Sequence, residues 1–349
     1  MKKKVLIAIS GGVDSSVAAW HLLNSGYDVR GVFMDFFRAT PPKKIAQNLE
    51  DARMVSKRLK MPLRVLDLKS DFERYVVKYF YQEYASGRTP NPCIVCNQKI
   101  KFAYLLKMAG KMGVDYISTG HYARIEYDAG RKRFFLKEGA DKIKDQSYML
   151  FCLKQRVLRR TLFPLGDYTK KEVRQIAGKL GLENYNRRDS QDICFVNNDY
   201  RQFLKNVSPA GFLAGSIIDA KGNILGTHNG TPHFTVGQRK GLGLAREKPL
   251  YVTSIDSKKN VVVVGSKKEI NNDRLSASRL NWIACRTPSF PFRAEAKIRY
   301  KHPKAWGTVS SASGRIEVTF DRPQPAISPG QAVVFYQGKT VLGGGWIDG

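Results

Sequence analysis

The sequence predicts a multidomain α/β plus β chain: an N-terminal parallel-sheet α/β domain, a small β-rich central domain and a C-terminal β-barrel. Three observations carry this. Strand-like and helix-like segments alternate over the first ~200 residues, which argues for a parallel sheet covered by helices. From about residue 205, Gly and Pro punctuate short β-rich runs. From about 275 the strands alternate apolar and polar residues more clearly, as half-buried barrel strands do. The expected boundaries are 1–204, 205–269 and 270–349.

Val5 to Ile9 is a continuous apolar run, suited to a strand buried on both faces. A helix follows from Ser15 and Ser16, with Val17, Ala18, Leu22 and Leu23 at helical spacing and Gly26 as its stop. Val29 to Phe33 reads as a second buried strand, Ile45 to Leu59 as an amphipathic helix and Leu63 to Leu66 as a third strand. An aromatic-rich helix is expected over Phe72 to Tyr84, and a fourth strand over Tyr116 to Ser118, ending at Gly120-His121. Further on, Gly215 to Ile218, His233 to Val236, Tyr251 to Ile255 and Val261 to Gly265 read as short strands. Ala294 to Tyr300 and Arg315 to Phe320 read as barrel strands, with turns at Pro323, Pro325 and Pro329-Gly330.

Between the first strand and the first helix lies Ser10-Gly11-Gly12-Val13-Asp14-Ser15-Ser16. Two glycines let backbone N–H groups approach an anion, and the helix N-terminus adds its dipole, so the segment predicts a phosphate site. No Gly-Lys-Ser/Thr follows at Walker spacing. The segment resembles the SGGxDS loop of the PP-loop (adenine nucleotide α-hydrolase-like) ATPases. That resemblance implies cleavage of ATP between its α- and β-phosphates, adenylation of a carbonyl or carboxylate oxygen, and Asp14 as an anchor for Mg²⁺ and pyrophosphate.

The chain carries 59 Lys+Arg against 30 Asp+Glu, a net charge of +29, which implies a polyanionic partner, nucleic acid above all. The charge is dispersed, as in Arg131-Lys132-Arg133, Arg159-Arg160, Lys170-Lys171, Arg187-Arg188 and Lys258-Lys259, a pattern suited to a folded RNA. The apolar stretch after Met1 to Lys4 is shorter than the roughly 7–15 residues of a signal core, and no run approaches the ~18 residues of a membrane span. With five cysteines and no such leader, a reducing, cytoplasmic location is expected.

Cys93 and Cys96 form a CxxC in Asn91-Pro92-Cys93-Ile94-Val95-Cys96, and Cys194 lies far downstream after Asp189, Ser190 and Asp192. By spacing alone, CxxC is half a zinc site, a redox pair, an iron–sulfur ligand pair or an incidental spacing. Cys152, between Phe151 and Leu153, reads as a core residue, and Cys285 equally so.

In chain order the sequence also holds GVFMDFF, TPNPCIVCNQKIKF, STGHYAR, KDQSY, FPLG, DSQDICF, FTVGQRKGLG, AKIRYKHP and PGQAVVFY. With SGGVDSS these motifs span nearly the whole chain and resemble the tRNA-specific 2-thiouridylase family, which replaces the C2 oxygen of the wobble uridine of certain tRNAs by sulfur. The resemblance implies a persulfide on Cys194, with Cys96 as the second catalytic cysteine, releasing the sulfur by forming a disulfide with Cys194. It places ATP against Ala8, Ile9, Ser10, Gly11, Gly12, Val13, Asp14 and Ser15, with Met34 toward adenine and Gly120 contributing backbone. Asn91, Pro92 and Cys93 match the segment that meets the target base. His121, Lys144, Asp145, Gln146, Arg299, Tyr300 and Gln331 match tRNA contacts. Implied partners are the tRNA anticodon stem-loop and a sulfur donor, either a cysteine desulfurase or a sulfur-relay protein. Many members carry Asp where this chain has Cys93, so two sulfur routes stay open. One is a persulfide without a cluster; the other is a 4Fe–4S cluster on Cys93, Cys96 and Cys194. Two other functions compete: a PP-loop ligase acting on a small molecule, and an RNA-binding protein with an inactive loop. The first needs neither the three cysteines nor the charge, and the intact loop and cysteines argue against the second.

Overall fold

The computed structural model describes residues 2–36, 42–182, 193–196, 199–207, 212–245, 247–312 and 314–348. Arg187-Arg188, Asp189, Ser190 and Asp192 lie outside the described residues. The strands of the N-terminal half are β1 (Lys4–Ala8), β2 (Asp28–Asp35), β3 (Leu63–Asp67), β4 (Tyr116–Ser118), β5 (Ala123–Asp128), β6 (Arg133–Glu138) and β7 (Thr161–Leu162). Five of them form a parallel sheet in the order β3-β2-β1-β4-β7. Alternate residues of β1 serve two cores. Leu6 faces one with Phe72, Phe80 and Ile94, while Val5 and Ile7 face the other with Val17 and Ala18. This explains the unbroken apolar run, since neither side of Val5, Leu6 and Ile7 in β1 meets water.

Helix α1 (Val13–Asn24) starts two residues earlier than expected, and Gly26, at φ +83°, follows its end as a left-handed stop. Helix α2 (Pro42–Arg58) covers the sheet next. The expected aromatic helix is present in three pieces: α3 (Lys69–Phe72), a wider π turn over Glu73–Val77, and α4 (Lys78–Ala85). A second π turn, Cys96–Lys101, separates α5 (Pro92–Val95) from α6 (Phe102–Lys111). Short helices α7 (Ser147–Leu150) and α8 (Gln155–Leu158) precede α9 (Lys170–Lys179) and α10 (Tyr200–Val207).

The central sheet has the order β10-β11-β8-β9, from β8 (Gly215–Ile218), β9 (Ile224–His228), β10 (Tyr251–Asp256) and β11 (Val261–Gly265). The strand expected over His233 to Val236 is absent. Pro232 lacks an N–H and Gly230 takes φ +117°, so Thr231–His233 close a 3₁₀ turn that drops Phe234 into the small core.

The C-terminal strands are β12 (Asn271–Trp282), β13 (Phe292–Lys297), β14 (Ala305–Ala312), β15 (Arg315–Pro325), β16 (Ala332–Gln337) and β17 (Thr340–Ile347). They pair in the order β12-β15-β14-β13-β16-β17, and β17 pairs back to β12, closing a six-stranded barrel. Two expectations change. Pro323 and Pro325 lie within β15, at an irregularity where Gln324 opposes Asn272 and Thr319 opposes Arg274, so the missing N–H groups fall where the ladder is already interrupted. Strand β13 stops at Lys297, which puts Arg299 and Tyr300 on the turn beyond it.

The β5–β6 hairpin, from the N-terminal half, adds to β17 through Thr340↔Lys137 and Val341↔Leu136. Barrel residues Ala332, Val334, Tyr336, Val341 and Trp346 share one core with Leu6, Phe80, Cys96 and Tyr148. Among the described residues no helix is long and apolar enough to cross a membrane.

Candidate active site

In the order 3-2-1-4, chain direction across the sheet reverses between β1 and β4, and the crevice outside their carboxyl ends is where such folds bind ligands. Both ends carry glycine. Gly11 has φ +76°, and a Cβ there would stand 2.4 Å from the Asn48 carbonyl oxygen. A Cβ on Gly120, just after β4, would stand 2.8 Å from the Ser15 nitrogen. Side chains at either position would push α2 or β4 away from the start of α1. Gly12 caps α1 in extended geometry without a side-chain acceptor, so the first turn presents backbone N–H groups outward. The serines brace the turn. Ser15 and Ser16 Oγ each donate to the Gly12 carbonyl at 3.0 Å, and Ser15 Oγ accepts from Ser10 N at 3.2 Å. Ile9, Val13 and Met34 are buried behind the loop, and Ala8 is half-buried at the end of β1.

Asp14 is held by two groups that the sequence reading did not single out for this site. The Lys170 amine donates to its two carboxylate oxygens at 2.7 and 2.8 Å, and the Tyr122 hydroxyl donates to Oδ1 at 2.7 Å. Lys170, read above as part of the dispersed surface charge, is only 8% exposed. It is the first residue of α9, whose N-terminus is closed by a Thr169/Glu172 capping box. A cation there opposes the helix dipole and needs an anion nearby. That conflict, a lysine pair directly after a Thr-x-x-Glu cap, was the signal available in the sequence.

The CxxC opens a helix. Asn91 Oδ1 accepts from Ile94 N at 3.4 Å, Pro92 occupies the first helical position, and Cys96 begins the π turn. Cys96 is 6% exposed, and burial pushes its thiol up to about 12, with Cys194 and Cys93 raising it further and Lys101 opposing. Cys93 and Cys194 therefore each stand within electrostatic reach of Cys96. Cys93 is open to solvent, yet burial also pushes its thiol up, again against Lys101. The two facts agree if Cys93 lies on the floor of an open crevice, wetted from one side and surrounded by protein on the others. Cys194 is exposed, while its neighbour Phe195 is buried against Phe72, Phe80 and Phe203 at ring separations of 5.5, 5.3 and 5.3 Å. That aromatic anchor presents Cys194 at the surface. Cys152 is a core thiol near the Ile94 carbonyl, as expected, and Cys285 is half-buried. None of the five is disulfide-bonded.

The positions expected to meet RNA divide by exposure. Lys144 and Gln146 are half-buried, and Gln146 exchanges hydrogen bonds with Tyr122. Asp145 is buried and accepts from Gly139 N, Ser147 N and Ser147 Oγ, so its carboxylate staples its own loop. His121 is 8% exposed, lies against Phe102 and Phe163 and pairs with Thr119 Oγ1 at 2.7 Å; burial holds its pKa well below the ordinary value. Arg299 and Tyr300 are half-buried, and burial pushes the Tyr300 hydroxyl up to about 12, with Asp145 and Cys93 adding to it. Gln331 donates to the Thr89 and Pro90 carbonyls at 3.1 Å each, tying the barrel to the chain just before buried Asn91 and Pro92.

Among the described residues no three His, Cys, Asp or Glu side chains gather closely enough to hold a metal ion. A 4Fe–4S cluster would be held by the Cys93, Cys96 and Cys194 thiols, the set expected from the sequence.

Three family models match successive parts of the chain: tRNA methyl transferase HUP domain over 3–198, tRNA methyl transferase PRC-barrel domain over 201–266 and Aminomethyltransferase beta-barrel domain over 272–347. The tRNA-specific 2-thiouridylase MnmA of Acetivibrio thermocellus is 46% identical over 99% of this chain and 99% of its own. The enzymes of the same name from Geotalea uraniireducens (47%; 99% and 95% covered) and Syntrophotalea carbinolica (48%; 99% and 98% covered) are as similar. With its phosphate loop, its three neighbouring thiols and this full-length likeness, the chain belongs to the tRNA-specific 2-thiouridylase family.

Proposed function

We propose that this protein thiolates tRNA at the expense of ATP: it adenylates the C2 oxygen of the wobble uridine and replaces that oxygen by sulfur. The observation that carries the reading is the pairing, in one chain, of a glycine phosphate cradle with Cys96 and Cys194 in electrostatic reach. A uridine carbonyl oxygen leaves poorly, and as an AMP ester it leaves well. The first turn of α1 would receive phosphate oxygens, Asp14 would hold Mg²⁺, which is commonly bound by one or two carboxylates plus substrate phosphates, and Lys170 would neutralise phosphate charge. Mg²⁺ would withdraw charge from the pyrophosphate as it departs.

Sulfur would arrive as a persulfide on exposed Cys194 from a cysteine desulfurase or a relay protein. Its terminal sulfur attacks C2 and expels AMP. The Cys96 thiolate then attacks Cys194 Sγ, freeing 2-thiouridine and leaving a Cys96–Cys194 disulfide that a thiol reductant reopens. Asn91, Pro92 and Cys93 would face the base, with Tyr300 beside Cys93, and the RNA would lie across the Lys144 loop and Arg299. A reducing cytoplasm suits the exposed thiols.

The test is incubation with ATP, Mg²⁺, a persulfide donor, a thiol reductant and an unmodified tRNA transcript. AMP formation should require tRNA, and mass spectrometry of the digested RNA should show 2-thiouridine. AMP without RNA dependence, or none at all, refutes the reading.

A further inference from the structure

Two hydrogen-bonded routes run from the loop around Lys144 to Asp14. In the first, Asp141 Oδ1 accepts from Ile143 N at 2.9 Å and Lys144 N at 3.1 Å, while Oδ2 accepts from Lys170 N at 2.9 Å. Lys170 then reaches Asp14 with its amine. In the second, Gln146 Oε1 accepts from Tyr122 N at 3.0 Å, Gln146 N donates to the Tyr122 carbonyl at 2.8 Å, and the Tyr122 hydroxyl reaches the same carboxylate. The loop tip carries exposed Lys142 and an Ile143 that is 87% exposed, an apolar side chain between two cations. Exposed Lys142 and Ile143 fit a polyanion with exposed bases. The Asp141 carboxyl is partly desolvated, yet the N–H groups of Lys170, Lys144 and Ile143 keep its pKa below the usual carboxylate value, so it remains an acceptor at neutral pH.

We propose that Asp141 is a positioning residue that couples RNA on the 142–146 loop to nucleotide at the phosphate loop, by setting where Lys170 stands relative to Asp14. This rests on the thiolation reading for the identity of the two ligands. The element with two states is the Lys170 amine. Among its anions would be the Asp14 carboxylate and a nucleotide phosphate, and Asp14 would be freed to hold Mg²⁺ as the amine turns to the phosphate. Asp141 spans the tip of the loop and the first N–H of α9, so a shift of the loop under RNA moves the base of Lys170. Coupling through such an element is reciprocal: RNA tightens ATP by the factor that ATP tightens RNA.

The experiment measures the Kd of α,β-methylene-ATP with Mg²⁺ on the full chain by equilibrium dialysis, with and without saturating unmodified tRNA transcript. The ratio of the two Kd values should be at least about 5 for the native chain, in the range of ordinary allosteric couplings. In Asp141→Ala it should fall to within twofold of 1. Asp141→Asn, which keeps the shape of the side chain but loses one acceptor, and Tyr122→Phe, which cuts only the second route, should give intermediate ratios. A merely structural role would weaken both affinities and leave the ratio unchanged. An unchanged ratio in Asp141→Ala and Asp141→Asn, or a native ratio of 1, overturns the proposal. A native chain that makes 2-thiouridine with a ratio of 1 removes the coupling alone. A large ratio without 2-thiouridine removes the thiolation reading and leaves the coupling.

Discussion

The buried Cys96 thiol should be one of the slowest in the protein to alkylate, and its rate should climb steeply with pH. Burial pushes it up to about 12. At pH 8 such a thiol is ionised in roughly 1 molecule in 10⁴, against about one in four for an ordinary cysteine, so thiolate chemistry slows by roughly 10³ before steric access is counted. Access adds to this, because Cys96 is 6% exposed whereas Cys194 stands in solvent. The sign follows from proton loss. Raising the pH from 7 to 9 should speed Cys96 labelling about 100-fold with no plateau, since the whole interval lies below its pKa. Lys101 is the charge that opposes burial, so Lys101→Met should slow Cys96 further. The assay is a time course of iodoacetamide labelling at pH 7, 8 and 9, quenched and read by peptide mass spectrometry. Cys96 reacting within tenfold of Cys194, or levelling off below pH 10, would refute the reasoning. If the reasoning holds, ionising Cys96 at pH 7 costs roughly 7 kcal/mol, and the resolving step proposed for Cys96 would need a proton acceptor beside it.

Asp14→Ala should abolish AMP formation while persulfide loading of Cys194, followed by mass spectrometry, continues. It should also destabilise the fold to urea by about 1–3 kcal/mol, less than a fully buried pair, because the Asp14 side chain is 33% exposed; Lys170→Met in the same chain should recover part of this, and additive losses would contradict the pairing. Cys194→Ser should eliminate 2-thiouridine while filter-binding affinity for tRNA stays within about threefold; retained 2-thiouridine sinks that assignment. Phe195→Ala should remove the anchor beneath Cys194, costing up to about 3–5 kcal/mol locally and making the stretch more susceptible to protease, whereas an unchanged cleavage pattern would show that the rings do not hold it. The logarithm of tRNA affinity should fall linearly with the logarithm of salt, and Lys142→Ala with Lys144→Ala should reduce the slope by about 1 to 2; an unaltered slope removes those phosphate contacts.

The parallel sheet and the phosphate loop were legible because their residues have few alternatives. An apolar run buried on both faces and two glycines before a helix leave little freedom, and the structure adds that Gly11 and Gly120 admit no Cβ without displacing backbone. The short helices were less legible, because Glu73–Val77 and Cys96–Lys101 widen into π turns through tertiary packing rather than local preference. His233 to Val236 misled because alternation outweighed the proline before it, and Pro323 and Pro325 because a strand irregularity, invisible in one chain's sequence, absorbs them. The thiols could be named individually but not placed together, since Cys194 reaches Cys96 only through the fold. Lys170 was hidden among the 59 basic residues, and its pairing with Asp14 spans almost half the chain.

The hairpin that β5 and β6 lend to β17 makes the molecule hard to divide. A chain cut after the central domain would leave the outer edge of β6 without its neighbour, take the Ala332 carbonyl from the Tyr148 hydroxyl and Trp346 from Phe151, and strip Thr89 and Pro90 of their Gln331 bonds. Such a fragment should precipitate through the bared strand rather than persist as a smaller enzyme. Evolution could therefore exchange the barrel only together with the hairpin that completes it, because even the far end of β6 is tied to the C-terminal segment through Arg133, which donates to the Ile283 and Cys285 carbonyls.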